Sequence, residues 1–333
     1  MSLTLVILVL SGTTLLLNYL VDPFWYSKGN RITGENRVFN ERLAVVNRFM
    51  QGPKKYDCYV FGSSRTTMLN AQKLDAGNCF NFSFSAGMIG EFLAYAEYLK
   101  EQGYKPEKVL IGVDLYNFFA PVVEVSVPEF IKNKEPPTGV LRNYLSLDTL
   151  WMSLRTLFRP SHMWRFYRED FSADIYSHAP SYWPNHQLVI TRDMVYNKAY
   201  NPAVIDWYKK MLDVFEGADI RFYVPPIGGW RSFQMEEQGN LDNYLESLHA
   251  VAHLGVPLYD FSSPHELTFD YAATYDGSHF NAKVNEHVLA ALNEESQAFG
   301  WRVDQMTLDT YKSRFRSSME QWREKYASDH SSH

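Results

Sequence analysis

Five short apolar runs, at residues 56–61, 79–84, 109–113, 220–224 and 257–261, each run into turn-forming residues. Stretches with helical spacing follow from Arg65 and at residues 91–102, 202–215, 241–253 and 283–297; in the second of these Phe92, Tyr95, Ala96 and Leu99 recur on one face. Strands separated by helices pair in parallel, because each crossover returns the chain to the same end of the sheet. The third run, Val-Leu-Ile-Gly-Val, is apolar throughout, as a strand covered on both faces requires. The pattern therefore predicts an α/β fold: a three-layer α/β/α, doubly wound parallel sheet with the first strand central. Ligands of such a sheet lie beyond the carboxyl ends of its strands.

The remainder of the chain divides around that sheet. Residues 3–21 carry no charge and are about as long as the ~20 residues needed to cross a ~30 Å hydrocarbon core. No basic residue precedes them and no small-x-small cleavage site follows, so an uncleaved single-pass anchor over residues 1–22 is expected rather than a leader peptide. Lys28, Arg31 and Arg37 follow the span, so charge counting does not orient it; the bulk of the chain is placed outside the cytoplasm on functional grounds. Residues 23–55 read as a juxtamembrane stalk with a first helix at 41–50. The α/β domain occupies 56–300, and 301–333 form a C-terminal helix (308–326) and a frayed tail. Residues 118–200 are too long for an ordinary connection and read as a helical insertion. In it Leu147, Leu150, Trp151, Leu154, Leu157 and Phe158 share a helix face opposite Asp148 and Arg155, which suits a helix docked on the core or one lying on a membrane.

Composition narrows the function. With 46% hydrophobic and 21% charged residues the chain is not intrinsically disordered, and a net charge of −6 without a long basic run excludes nucleic acid as the expected partner. The aromatic share, 16%, fits either a ring-rich core or an exposed groove for sugar or lipid. A bridge between neighbouring parallel strands is geometrically demanding, so Cys58 and Cys79 are expected as buried free thiols. Glu246, His249 and His253 share a helix face but lack the HExxH form; they read as an exposed polar face, with no metal and no cofactor expected. Phosphate-binding loops and Gly-x-Ser-x-Gly are absent, which removes nucleotide binding and the α/β-hydrolase fold.

Two segments carry the chemistry. Phe61-Gly62-Ser63-Ser64-Arg65 ends the first strand in a sharp turn that exposes a serine beside helix-start N–H groups. Tyr275-Asp276-Gly277-Ser278-His279 follows the last strand and offers a base with an acceptor three residues away, as nucleophilic serine chemistry requires. On these motifs the chain resembles the SGNH (GDSL-like) hydrolase superfamily, and within it the membrane-anchored bacterial branch near the DltD-type and exopolysaccharide O-acylation proteins. The resemblance spans residues 56–297 outside the insertion.

It implies Ser64 as nucleophile, His279 as general base and Asp276 as its orienting carboxylate. The N–H groups of Ser64 and Gly87 then form the oxyanion hole. Where the family often has Gly-x-Asn-Asp after strand three, this chain has Gly112-Val113-Asp114-Leu115; an ionised Asp114 there would repel an oxyanion, and Asn117 is the substitute donor. Trp230 and Arg231, after strand four, are candidates to hold a sugar ring or an anionic group. The expected function is that of an esterase or O-acyltransferase acting through an acyl-serine on acyl esters of cell-envelope or secreted polysaccharide, with a membrane-bound acyltransferase as a further partner. The alternative is a non-catalytic SGNH-fold scaffold in a polysaccharide acylation or export complex.

Overall fold

The computed structural model describes residues 2–34, 40–52, 55–75, 77–119, 126–137, 139–158, 164–182 and 200–330. The chain opens with α1 (Leu3–Val21) and α2 (Glu41–Gln51), then β1 (Cys58–Phe61), a one-turn α3 (Ser64–Thr67), β2 (Cys79–Asn81), α4 (Ile89–Glu101) and β3 (Lys108–Gly112). The insertion holds α5 (Glu129–Lys132), α6 (Val140–Tyr144), α7 (Leu147–Phe158) and a small antiparallel hairpin, β4 (Arg165–Tyr167) with β5 (Ala173–Ile175). The alternation then resumes with α8 (Val204–Val214), β6 (Asp219–Val224), α9 (Trp230–Glu237), α10 (Leu241–Ala252), β7 (Leu258–Asp260), α11 (Ala282–Leu292), β8 (Trp301–Arg302) and α12 (Leu308–His330).

All five expected strands join one sheet and pair in parallel, in the order β2-β1-β3-β6-β7. After β2 the chain crosses back over β1 and adds β3, β6 and β7 on its far side. β1 is thus interior but one place from the edge, not central as expected. A sixth strand, β8, closes the far edge antiparallel to β7; two residues long, it is too short to register as an apolar run. The segment expected as an appended helix and tail is built into the fold, because Tyr311, Phe315 and Met319 of α12 are buried in the main core and the Tyr311 hydroxyl donates to Asp260 at 2.7 Å. The helix continues to His330, past the fraying expected from residue 327.

Strand alternation sorts the core into two layers. Tyr59 and Phe61 of β1 face a ring-rich layer with Phe49, Phe80, Phe82, Phe92 and Phe215; Cys58 and Val60 face the other side, where α11 supplies Val284, Val288 and Leu292. Much of the aromatic share is therefore core. Register pairs Cys58 with Cys79 on the same face, their Cα atoms 4.2 Å apart, and the two form a disulfide rather than free thiols.

Residues 3–21 form one helix long and apolar enough to cross a membrane. Its last turn is part of the body: Asn18 and Val21 are buried, and Asp22, in the left-handed conformation at φ 43°, closes the helix. The Asp22 carboxylate accepts the N–H groups of Tyr26, Ser27 and Gly29 at 2.8 to 2.9 Å and the Tyr144 hydroxyl at 3.1 Å. Helix α7 packs against α1, not on the sheet.

Candidate active site

At the carboxyl end of β1 the chain turns without a loop. Ser63 caps α3, its Oγ accepting the Arg65 N–H at 3.3 Å. Two glycines make the close approach feasible: a Cβ on Gly62 would sit 2.2 Å from Thr66 Oγ1, and one on Gly112, at the end of β3, 2.5 Å from the same atom. Beneath the turn lies Asp114, fully buried, whose Oδ2 accepts the Ser63 N–H at 3.1 Å while Oδ1 pairs with Arg65 Nε at 3.5 Å. Asp114 is the post on which the serine turn rests, and its charge is matched by Arg65. Ser64 is partly exposed, and neither its hydroxyl nor its N–H has a hydrogen-bond partner among the described residues; its carbonyl accepts Thr67 Oγ1 at 2.6 Å.

The second motif is organised mainly from within, with two outside ties: the Gly228 N–H donates to the Gly277 carbonyl at 3.0 Å and the Tyr182 N–H to the Thr274 carbonyl at 2.9 Å. Asp276 Oδ1 accepts the N–H groups of Ser278 and His279, both at 2.9 Å, and Oδ2 meets His279 Nδ1 at 2.6 Å. Thr274 Oγ1 accepts the Gly277 N–H at 3.0 Å, and a Thr274–Phe280 bridge closes the loop. Gly277 sits at φ 75°, with Tyr182 so close that a Cβ would be 2.7 Å from its ring, so no other residue fits without strain. Burial pushes the Asp276 carboxyl up, but the imidazole and the two N–H donors outweigh it and hold the pKa at about 2. His279 moves the other way: burial lowers its pKa, Asp276 opposes this, and Arg165 and Arg65 add to the lowering. A neutral imidazole with its proton on Nδ1, beside the carboxylate, leaves Nε2 as the base. That Nε2 is buried and has no hydrogen-bond partner among the described residues.

The Ser64–His279 hydrogen bond expected from the motifs is thus not made in this structure. The two loops nonetheless share one electrostatic neighbourhood, because Arg65, the residue after Ser64, acts on His279. The proposed oxyanion donors fare differently. The Gly87 N–H is spent on the Phe84 carbonyl at 3.1 Å, so Gly87 is not an open donor here. Asn117 is buried, its Oδ1 accepting the Ile89 N–H at 2.9 Å, and so serves the start of α4. Trp230 opens helix α9 instead of lying in a turn. It is only 6% exposed, braced between Tyr182 and the Gly277 loop, and so offers no ring face to a sugar. Arg231 does border the site: its guanidinium lies 4.1 Å from the Trp230 ring centre, and burial, then Arg65, lowers its pKa to about 10.

Sequence reasoning missed a buried network on the other side of His279. Glu41 Oε1 accepts Tyr167 Oη at 2.6 Å, Ser85 Oγ at 2.9 Å and Arg165 at 3.2 Å, and its Oε2 takes the Ser85 N–H. Arg165 also donates to Ser85 Oγ, and its charge acts on Tyr275, whose ring stacks on His279 at 5.5 Å. Ala86, next to Ser85, is held at φ 50°, a conformation costly for a residue with a Cβ. Ser85 was traceable, since it follows β2 at the ligand edge; Glu41 and Arg165 carried no such signal. Comparison with protein-family models and with curated proteins returns no match for this chain.

Proposed function

We propose that the chain is a membrane-anchored serine esterase or O-acyltransferase of SGNH type, with a doubly wound sheet, acting on acyl esters of envelope or secreted polysaccharide. One observation carries the reading: an Asp276–His279 pair with its outer nitrogen buried and unspent, within the electrostatic reach of Arg65, whose neighbour Ser64 has its hydroxyl and N–H unspent among the described residues. A buried polar atom left unsatisfied costs free energy, so the unpaired Nε2 of His279 favours a site shaped for a reacting group.

In this reading Ser64 Oγ attacks the ester carbonyl as its proton passes to His279 Nε2, and Asp276 holds Nδ1–H and stabilises the imidazolium. The oxyanion rests on the Ser64 N–H at the start of α3. The imidazolium returns its proton to the leaving alcohol, and water or a sugar hydroxyl then resolves the acyl-serine. The serine must swing toward Nε2 for the first step, and such bonds commonly tighten only in the substrate complex. The buried Cys58–Cys79 disulfide supports an oxidising compartment for the body, and the incorporation of Asn18 to Asp22 into the fold supports retention of α1 as an anchor.

A non-catalytic scaffold for an acylation or export complex, alongside a membrane-bound acyltransferase, is the second reading. The engaged Gly87 N–H and the unmade serine–histidine bond favour it. Full-length protein in detergent, treated with a fluorophosphonate probe, separates the two. Labelling that survives Ser63→Ala and disappears in Ser64→Ala supports the enzyme; labelling retained in Ser64→Ala removes Ser64 as nucleophile, and a wild-type protein that neither labels nor cleaves acyl esters supports the scaffold.

A further inference from the structure

The exposed apolar surface of this protein is confined to one place. Every large hydrophobic side chain left exposed among the described residues lies in residues 3–32 or 141–164; the sheet and its covering helices contribute none. In the second group are Leu141, Leu145, Leu147, Trp151 and Phe158 on α6 and α7, with Phe158 78% and Trp151 58% exposed.

The contact between α7 and α1 is built opposite to a water-soluble helix pair. The buried positions of α7 are Thr149, Ser153 and Thr156, small and hydroxylated, at helical spacings of four and three. The middle one meets Asn18 in the last turn of α1: Asn18 is fully buried, accepts the Ser153 hydroxyl at 2.9 Å, and donates to the carbonyls of Tyr144 and Ser146 at 2.9 and 3.2 Å. Beside a small apolar cluster in which Leu15 and Met152 pack on Phe24, Tyr26 and Tyr144, polar groups are inside, while the largest apolar side chains of α7, Trp151 and Phe158, are outside. In water this order leaves several large side chains hydrated for no return. In a bilayer it is the favourable one, because small residues let helices approach, side-chain hydrogen bonds join them, and lipid solvates the apolar exterior.

We infer that α6 and α7 enter the bilayer beside α1, so that the protein is held by a spanning helix and a half-depth helical wedge. The occupant of the outward face of α7 is lipid hydrocarbon, continuous with that around α1. At ~1.5 Å per residue, α7 is about 18 Å long, roughly half of a ~30 Å core. Arg142, exposed on α6, stands two residues before Tyr144, where a long basic side chain reaches back to the headgroups and water. Asp148 is exposed in the first turn of α7, where the helix leaves the body, and Arg155 is only partly exposed. An interfacial belt marks the same level: Tyr19, with Arg31 4.2 Å over its ring, and Tyr144 packed edge-on against Tyr19.

The inference rests on α1 being a membrane anchor, and the test separates the two. Single cysteines at Phe158→Cys, Trp151→Cys, Leu10→Cys (in α1) and Lys209→Cys (on α8) are introduced into the full-length protein, where the native cysteines are bridged. Each is spin-labelled in phosphatidylcholine–phosphatidylglycerol vesicles, and collisions with oxygen and with a water-soluble nickel chelate are measured. The oxygen-to-nickel ratio at residues 151 and 158 is expected to match that at residue 10 and to exceed that at residue 209 by about an order of magnitude, since the polar chelate is excluded from hydrocarbon. Ratios at 151 and 158 equal to that at 209, with residue 10 lipid-like, would overturn the wedge and leave the anchor standing. Shielding of 151 and 158 from both reagents would mean that protein, not lipid, covers α7, which also overturns it. Nickel access at residue 10 itself would remove the anchor and the wedge together.

Discussion

The two halves of the candidate site are held by different means. The histidine half is local: Thr274, Asp276 and Gly277 set the loop through hydrogen bonds spanning two or three residues. The serine half depends on distant parts of the chain: Asp114 reaches the Ser63 N–H across 51 positions, and the Glu41–Arg165 pair that flanks the site spans 124. The local half arrives complete, with its base unspent. The distant half leaves Ser64 without its partner. On the proposed reading the base is set locally and the nucleophile by remote contacts, so damage to the two halves should look different in kinetics.

The largest effect is expected from His279→Ala, which should reduce kcat/KM for an acyl ester by roughly 10³-fold or more, with Ser64→Ala/His279→Ala little worse than either single change. Additive losses in that double-mutant comparison would show that the two residues do not act as a unit. Gly277→Ala comes next. Strain at φ 75° and the clash with Tyr182 should misplace the imidazole and cost about 1–3 kcal/mol in thermal unfolding of the detergent-solubilised protein. Asp114→Ala should cost about 1–3 kcal/mol by stranding the buried Ser63 N–H, and Asp114→Asn less, since an amide oxygen can still accept it. If the Asn variant also kept full turnover, the Arg65 pairing would matter only for folding.

The smallest effect is in pH dependence, and its sign follows from the surroundings of His279. Burial and the two arginines lower its pKa, so the acid limb of kcat/KM should fall below pH 6.5. Removing the carboxylate that opposes them, in Asp276→Asn, should move the limb lower still while reducing turnover. An acid limb above pH 6.5 would contradict the described environment. Stability should follow Asp276 separately: with a folded pKa near 2 against an ordinary 3.8, its contribution is present above about pH 4 and is lost as pH falls toward 2.

The same division of local from distant governs what could be read before the structure was known. The five parallel strands and the Asp276–His279 pair were legible, since apolar runs and a three-residue spacing are written in adjacent positions. Neither the disulfide, the supporting role of Asp114, nor the network of Glu41, Ser85 and Arg165 was, because each depends on register or packing between remote segments. Trp230 shows the limit most plainly. Its place after the carboxyl end of β6 was legible, but burial under Tyr182 decides what an indole can do, and burial is a property of the assembled layers.

Asp22 has a mechanical meaning for the whole molecule. By gathering three N–H groups and a tyrosine hydroxyl onto one carboxylate at the end of α1, it makes the junction between helix and body a bracket, not a hinge. A domain on a flexible leash sweeps a volume; one on a bracket keeps a constant height and tilt and explores only a plane. With α1 as the proposed anchor, the height of the body above a membrane is then set by the angle at which α1 stands, and lengthening the polypeptide elsewhere would not extend it.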